Sequence, residues 1–176
     1  MDARSIVVVP YEEAWPSLFV EEQTRIERAL GPLVERIEHV GSTAVPGLAS
    51  KPILDIMVGV RRLREADHCI EPLVRLSYEY RGAAGAPGRL FFRKGDPRTH
   101  HLHIAEVGGE FCVDHLVFRD YLRTHPQTAR EYARLKHELA ERFRADWTAY
   151  TEGKSDFILE VLRRASEAKD TQLPRM

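Results

Sequence analysis

Apolar and polar positions change rhythm along the chain, and each rhythm points to an element. The run "SIVVVPY", Ser5 to Tyr11, is β-branched and closed by Pro10, which predicts a short strand. In "EEAWPSLFVEEQTRIERALG" the apolar residues Trp15, Leu18, Phe19, Ile26 and Leu30 fall at helical spacing, with Gly31 as the stop. "ERIEHV" alternates and predicts a strand that feeds a turn at Gly41-Ser42. "PILDIMVGV" is almost continuously apolar, the pattern of a central strand buried on both faces. "LREADHCIEPLVRLSY" predicts a helix in which Pro72 is the discordant residue.

"RGAAGAPG" has the composition of a flexible loop. "RLFFRKGDPRTHHLHIAEVGG" predicts a β-hairpin turning at "KGDP", its second strand running from about Thr99 to Val107. The last third is helical. "DHLVFRDYLRTH" forms one helix; in the next, Tyr132, Leu135, Leu139, Phe143 and Trp147 recur at helical spacing. Thr124 and Gln127 have the spacing of a capping box, with Pro126 tolerated in the first turn. "GKSDFILEVLRRA" predicts a closing helix, and the tail over 169–176 is expected to fray. Strands first and helices last predict an α+β or mixed α/β fold with a helical C-terminal third, in a single domain over residues 1–176.

Composition narrows the function classes. At 176 residues, 43% hydrophobic and 30% charged, the chain has the balance of a soluble domain with a substantial core. A net charge of −1 supplies no global field toward nucleic acid or an anionic membrane. No apolar run approaches the roughly 20 residues of a membrane span, and the start lacks a signal-peptide core, so a cytoplasmic location is expected. Cys69 and Cys112 are too few and too far apart for a disulfide framework or a structural zinc site. Neither aromatic stacking platforms nor arginine-rich stripes are evident, so nucleic acid is not the expected partner.

Four constellations carry candidate chemistry. Gly41-Ser42-Thr43 leaves a strand at a glycine, where exposed N–H groups and two hydroxyls can hold phosphate oxygens and Lys51 can add charge. The same residues also suit an ordinary turn with a hydroxyl cap. Asp55 stands among apolar neighbours in "ILDIMV"; a buried carboxylate requires a pairing arginine, a metal or a substrate contact. In "THHLHIAE", His101 and His103 share one strand face with Cα atoms roughly 6–7 Å apart, a span that suits a shared ion or phosphate. A half-exposed strand that is merely rich in histidine fits as well. With a carboxylate alongside, the pair favours zinc or manganese over magnesium. Arg119 and Arg123 lie i, i+4 on one helix, and Tyr132 and Lys136 repeat that spacing on the next. Asp120 is placed to pair with Arg123, leaving Arg119 the freer cation of an anion-binding wall or of a solvated surface. Arg89, Phe92 and Arg93 are expected at the pocket rim.

The stretches "HVGSTAVPGLASKPILDIMV", "HHLHIAE", "FRDYLRTHPQTAREYARLKHELA" and "YTEGKSDFI" together resemble the GrpB family, of the nucleotidyltransferase superfamily, over about Ile6 to Ala165. The resemblance implies a nucleotidyltransferase-like mixed β-sheet flanked by helices, in a domain also found fused to dephospho-CoA kinase. It implies further a Gly-Ser turn, then a carboxylate pair on a strand that holds divalent metal against a triphosphate. Gly41, Ser42 and Asp55 match that signature; the second carboxylate position holds Met57, and the strand expected to supply a third carries His101 and His103.

The resulting expectation is a protein that binds a nucleotide or other phosphorylated small molecule, able to transfer a nucleotidyl group to a small acceptor. Gly41, Ser42, Thr43, Lys51, Arg93, Arg119, Arg123 and Lys136 are expected to contact substrate phosphates. Asp55, His101 and His103 are expected to be catalytic and to hold one divalent ion: magnesium, manganese or zinc. The alternatives are a non-catalytic interaction or folding-assistance module with a protein partner, and a metal-dependent hydrolase.

Overall fold

The computed structural model describes residues 5–172. Helix α1 (Trp15–Leu30) forms where Trp15, Phe19, Ile26 and Leu30 line one face, and it stops at Gly31, whose φ of 52° few other residues adopt. Strand β1 (Arg36–Val40) leads through a single 3-10 turn (Ser42–Ala44) to β2 (Leu54–Val60). A 3-10 segment (Leu63–Cys69) and the short helix α2 (Ile70–Arg75) follow, then β3 (Glu79–Tyr80), β4 (Arg89–Lys94) and β5 (His100–Glu106). Four helices close the chain: α3 (Glu110–Thr124), α4 (Pro126–Phe143), α5 (Trp147–Glu152) and α6 (Ser155–Gln172).

The five strands form one mixed sheet in the order β1-β2-β5-β4-β3. β2 and β5 run parallel at its centre, in a register that places Asp55 beside His101 and Met57 beside His103; the other pairings are antiparallel. One face carries Ile56, Val58, Phe92, Leu102 and Ile104 into the main core, covered by Phe19, Ile26 and Leu30 of α1 and by Cys69 and Leu73. The opposite face carries Val40, Met57 and Ala105, which meet Cys112 of α3. Both faces are therefore covered, which explains why β2 reads as a continuous apolar run. A buried polar node also ties α1 to the sheet. Glu22, 1% exposed, accepts hydrogen bonds from Tyr78 Oη at 2.9 Å, Lys94 Nζ at 2.7 Å and Arg25 Nη1 at 2.9 Å.

Several local expectations change. Ser5 to Tyr11 is not a strand of the sheet: a single bridge, Val9 to Ser50, is joined by two backbone hydrogen bonds of 2.8 and 2.9 Å. β-branched residues favour extended backbone, but a ladder needs an open strand edge alongside, and only one residue pair meets. The helix expected over Leu63 to Tyr78 divides into the 3-10 segment and α2. Pro72 explains the division: its ring would strike the carbonyl four residues back in a continuous α-helix, whereas the first turn of α2 tolerates it. α3 begins at Glu110, ahead of the expected Asp114, and runs to Thr124. Thr124 therefore belongs to α3, bonding back to the Asp120 and Tyr121 carbonyls, and caps nothing; Gln127 bonds Glu131 instead. Trp147 is not on α4 but opens α5, where Asp146 accepts the Ala149 N–H at 3.0 Å as N-cap. The α6 backbone continues past Ala168 to Gln172; the rest of the tail expected to fray, residues 173–176, lies outside the described residues. No helix among the described residues is long and apolar enough to cross a membrane.

Candidate functional site

A cavity of about 710 Å³ opens between the second sheet face and the C-terminal helices, within the size range of small-ligand sites. Its floor is Asp55 on β2, His101 and His103 on β5, and Arg89 and Phe91 on β4. Gly41 and Ser42 form one wall; Lys136 of α4, Tyr150 of α5 and Lys154 form another; Phe118 of α3 and Ile158, Leu159 and Leu162 of α6 supply an apolar side.

The Gly41-Ser42 turn is built around the carboxylate. Gly41 has φ 69°, and a Cβ there would lie 2.9 Å from both Cβ and Cγ of Asp55, so only glycine lets the backbone close over that side chain. Ser42 and Tyr132 both line the cavity. Thr43 does not face the cavity: it is fully buried, and its hydroxyl meets His39 Nε2 at 2.9 Å. The α3 arginines hold the turn from behind. Arg119, 8% exposed, donates to Glu38 at 2.7 Å, to the His39 carbonyl at 2.9 Å and to Asp120 at 2.7 and 3.1 Å. It is the more tightly bound of the pair, contrary to expectation, because β1 brings a carboxylate to it that no local spacing reveals. Arg123 donates to the Ala44 carbonyl at 2.9 Å and borders a separate depression beside Leu48 and Pro126.

Three lysines converge on the cavity. Lys51 Nζ lies 4.5 Å from the Trp147 ring centre and 4.9 Å from that of Tyr150; Lys154 lies 4.6 Å from Tyr150, and Lys136 lies 4.8 Å from Tyr132. Lys136 also donates to the Ala49 carbonyl. Burial, reinforced by the charge of Lys154, pulls the Lys51 ammonium down to about 8, with Asp55 opposing. Burial and the charges of Lys154 and Lys51 pull Lys136 down to about 7, again against Asp55. Burial lowers Lys154 as well.

Asp55 is the carboxylate at the centre. Burial works to raise its pKa, but the hydrogen bond with His101 and the charge of Lys51 outweigh it and hold the carboxyl far below the usual range. Its Oδ1 lies 3.2 Å from His101 Nδ1. With Asp55 ionised, that nitrogen carries the proton and donates, leaving Nε2 as the basic atom. His101 Nε2 and Tyr150 Oη are buried with no hydrogen-bond partner among the described residues. Burial pushes the pKa of His103 well down, with the charge of Arg89 adding and Asp55 opposing.

The metal expected at Asp55, His101 and His103 does not fit this arrangement as a three-ligand site. His103 Nδ1 is 2.6 Å from Arg89 Nη1; a guanidinium has no lone pair to give, so Nδ1 accepts, the neutral ring keeps its proton on Nε2, and neither nitrogen has a lone pair left for a metal. Met57, in the second carboxylate position, is fully buried among Val40, Ala105 and Cys112. Among the described residues no group of three or more His, Cys, Asp or Glu is placed to hold a metal ion.

At the rim, Arg89 lines the cavity but Phe92 does not: it is buried in the opposite core, and Phe91 takes its place, as strand alternation requires. Arg93 shares the Arg89 face yet is held by Glu79 at 2.6 Å, away from the cavity lining. Lys154, Tyr150, His115 and Phe118 are cavity residues that the sequence reading passed over. Phe111, His115 and Phe118 recur at helical spacing on α3, a signal that was available. Lys154 follows Gly153, where a Cβ would lie 2.6 Å from Leu139 Cδ2, so close packing of the α5–α6 corner on α4 aims it inward.

The chain is 39% identical over 167 residues to YqkA of Bacillus subtilis, covering 94% of this chain and 49% of that protein. It is 28% identical to a dephospho-CoA kinase of Mycolicibacterium paratuberculosis, over 93% of this chain and 47% of the kinase. The chain thus spans about half the length of both proteins. The crystal structure of the conserved protein GrpB from Enterococcus faecalis superposes with TM-score 0.85 at 36% identity, covering 93% of this chain and 99% of that one. The Cid1 poly(U) polymerase shares the fold alone, at TM-score 0.53 and 12% identity, over 77% of this chain and 44% of the polymerase. The sequence profile of the GrpB protein family matches residues 5–164, and the chain belongs to that family.

Proposed function

We propose that the protein binds the phosphates of a nucleotide or another phosphorylated small molecule in the cavity between the sheet and α4–α6. The convergence of Lys51, Lys136 and Lys154 carries the reading. Burial lowers all three ammonium groups and the charge of Lys154 lowers Lys51 and Lys136 further, so the empty site is destabilised and an anion relieves that strain. Ser42 and Ser50 line the same end, and the unpartnered Tyr150 Oη supplies a further polar atom. The apolar side from Phe118 to Leu162 suits the non-phosphate part of such a ligand. For transfer of a nucleotidyl group to a small acceptor, His101 is the group to take the acceptor's proton, held in tautomer by Asp55.

Titration calorimetry with inorganic phosphate, tripolyphosphate and nucleoside triphosphates tests the reading. Lys51→Ala and Lys154→Ala are each expected to weaken binding about tenfold or more, given the ~1.5–3 kcal/mol of a hydrogen bond to a charged group. Equal binding by parent and both variants would remove the lysine end from the site.

A second reading is favoured by one comparison. The chain matches about half of a dephospho-CoA kinase, so a domain of this kind stands beside a kinase in that protein. A non-catalytic module assisting a neighbouring domain would show no phosphate affinity by calorimetry.

A further inference from the structure

The carboxylate pair that would hold a metal is incomplete here, with buried Met57 in its second position, and Arg89 on β4 presents a cation of the protein itself to the same cavity floor. We propose that Arg89 is the built-in counter-ion of the site and that the cavity takes a polyphosphate chain without a divalent metal, an inference that rests on the phosphate reading above.

The Arg89 guanidinium carbon lies 4.7 and 5.2 Å from the centres of the Phe91 and Phe111 rings. Nε donates to the Ala83 carbonyl at 3.2 Å, Nη2 points to the Ala84 carbonyl at 3.4 Å, and Nη1 meets His103 Nδ1 at 2.6 Å. All three partners are neutral: two carbonyls and a histidine whose burial keeps it uncharged. No carboxylate lies within ion-pair distance of Arg89 among the described residues, so its charge is oriented by the protein but not neutralised by it.

The same holds for the lysines. Lys51 and Lys154 rest on aromatic faces and Lys136 on a carbonyl, and among the described residues no carboxylate forms an ion pair with any of them. Around one cavity the protein therefore sets four cationic side chains against Asp55 and Asp114. A bare polyphosphate matches that surplus. A polyphosphate already neutralised by magnesium matches it poorly, and brings its cation toward Arg89. Arg89 thus performs the charge-neutralising part of a metal's work, from a fixed position and with no ligand set to assemble.

Two conditions and two variants test this by calorimetry, with sodium tripolyphosphate and ATP as probes. In EDTA, binding is expected at full affinity, and excess magnesium should weaken it by competing for the phosphates. Arg89→Gln should weaken EDTA binding about 10-fold or more. Asp55→Asn should tighten it, because a negative charge facing the phosphates is gone. If Arg89→Gln fails to fold, Asp55→Asn alone still decides, since a metal held by Asp55 predicts the opposite sign. Binding that appears only with magnesium or manganese, and disappears in Asp55→Asn, overturns the proposal and leaves the phosphate reading standing. Absence of binding under every condition overturns both.

Discussion

Gly41 joins two requirements in one residue, a positive φ and an absent Cβ beside Asp55. Gly41→Ala is therefore expected to cost about 1–3 kcal/mol of stability, read from the urea midpoint, and to displace Ser42 from the cavity. The lysines give a prediction with two opposite signs. Lys136 and Lys51 lose protons at about 7 and 8 in the folded protein against an ordinary 10.5, so above pH 7 the unfolded chain binds more protons than the folded one. Stability of the ligand-free protein should rise with pH from about 7 toward 10.5. Phosphate affinity should move the other way, falling as pH climbs through 7 and 8, because the anion needs the charged forms. Urea melts and calorimetry across pH 6–9 separate the two trends; parallel trends would show that the lysines are not the titrating groups. Strand alternation was enough to place His101 and His103 on one face; that Asp55 joins them depends on β2 lying beside β5 in register. Alternation was not enough to reveal Arg89 on His103, although the hairpin was expected, because the contact is diagonal: Arg89 is paired with Ala105 and Phe91 with His103.

At the scale of elements, α1 is fastened by the carboxylate of Glu22 as well as by its apolar face. Glu22→Ala leaves Tyr78 Oη and Lys94 without their shared acceptor, and an unfolding cost of about 3 kcal/mol is expected, measured by chemical denaturation. Its pH signature is distinct. Burial raises the Glu22 carboxyl, but hydrogen bonds from Lys94, Arg25 and Tyr78 bring it below its ordinary 4.5, so this stabilisation is present above pH 4.5 and fades in acid. Helices with a clean apolar period, α1 and α4, were legible from sequence to within a few residues, as were the strands of the β4–β5 hairpin. Elements decided by long-range partners were not. Ser5 to Tyr11 has strand composition yet forms one isolated bridge, to Ser50 in the segment before β2, and Thr124 has cap composition but is absorbed into α3. Arg119 shows the same limit at a functional edge: its ties to Glu38 and to the His39 carbonyl cross 81 and 80 positions of sequence.

For the whole molecule, the cavity is the seam between the sheet and the C-terminal helices, with its lysines drawn from three separated places: residue 51 before β2, residue 136 on α4 and residue 154 before α6. A phosphate chain bridging them adds a tie between halves already joined by packing, by the Arg119–Glu38 ion pair and by the bonds of Arg123 and Lys136 to the Ala44 and Ala49 carbonyls. Ligand at about 100 times its Kd should add about 2.7 kcal/mol to unfolding stability, visible as a raised melting temperature. Where that stabilisation appears is the sharper test. Amide exchange should slow in the Gly41–Lys51 turn and in the α5–α6 corner around Lys154, the segments that the ligand would tie together. The centre of the sheet, Ile56 and Val58 with Leu102 and Ile104, is fully buried already and should change only as global stability does. Protection confined to α1 and α2, on the far side of the sheet, would place the ligand elsewhere and break the link between the lysine cluster and binding.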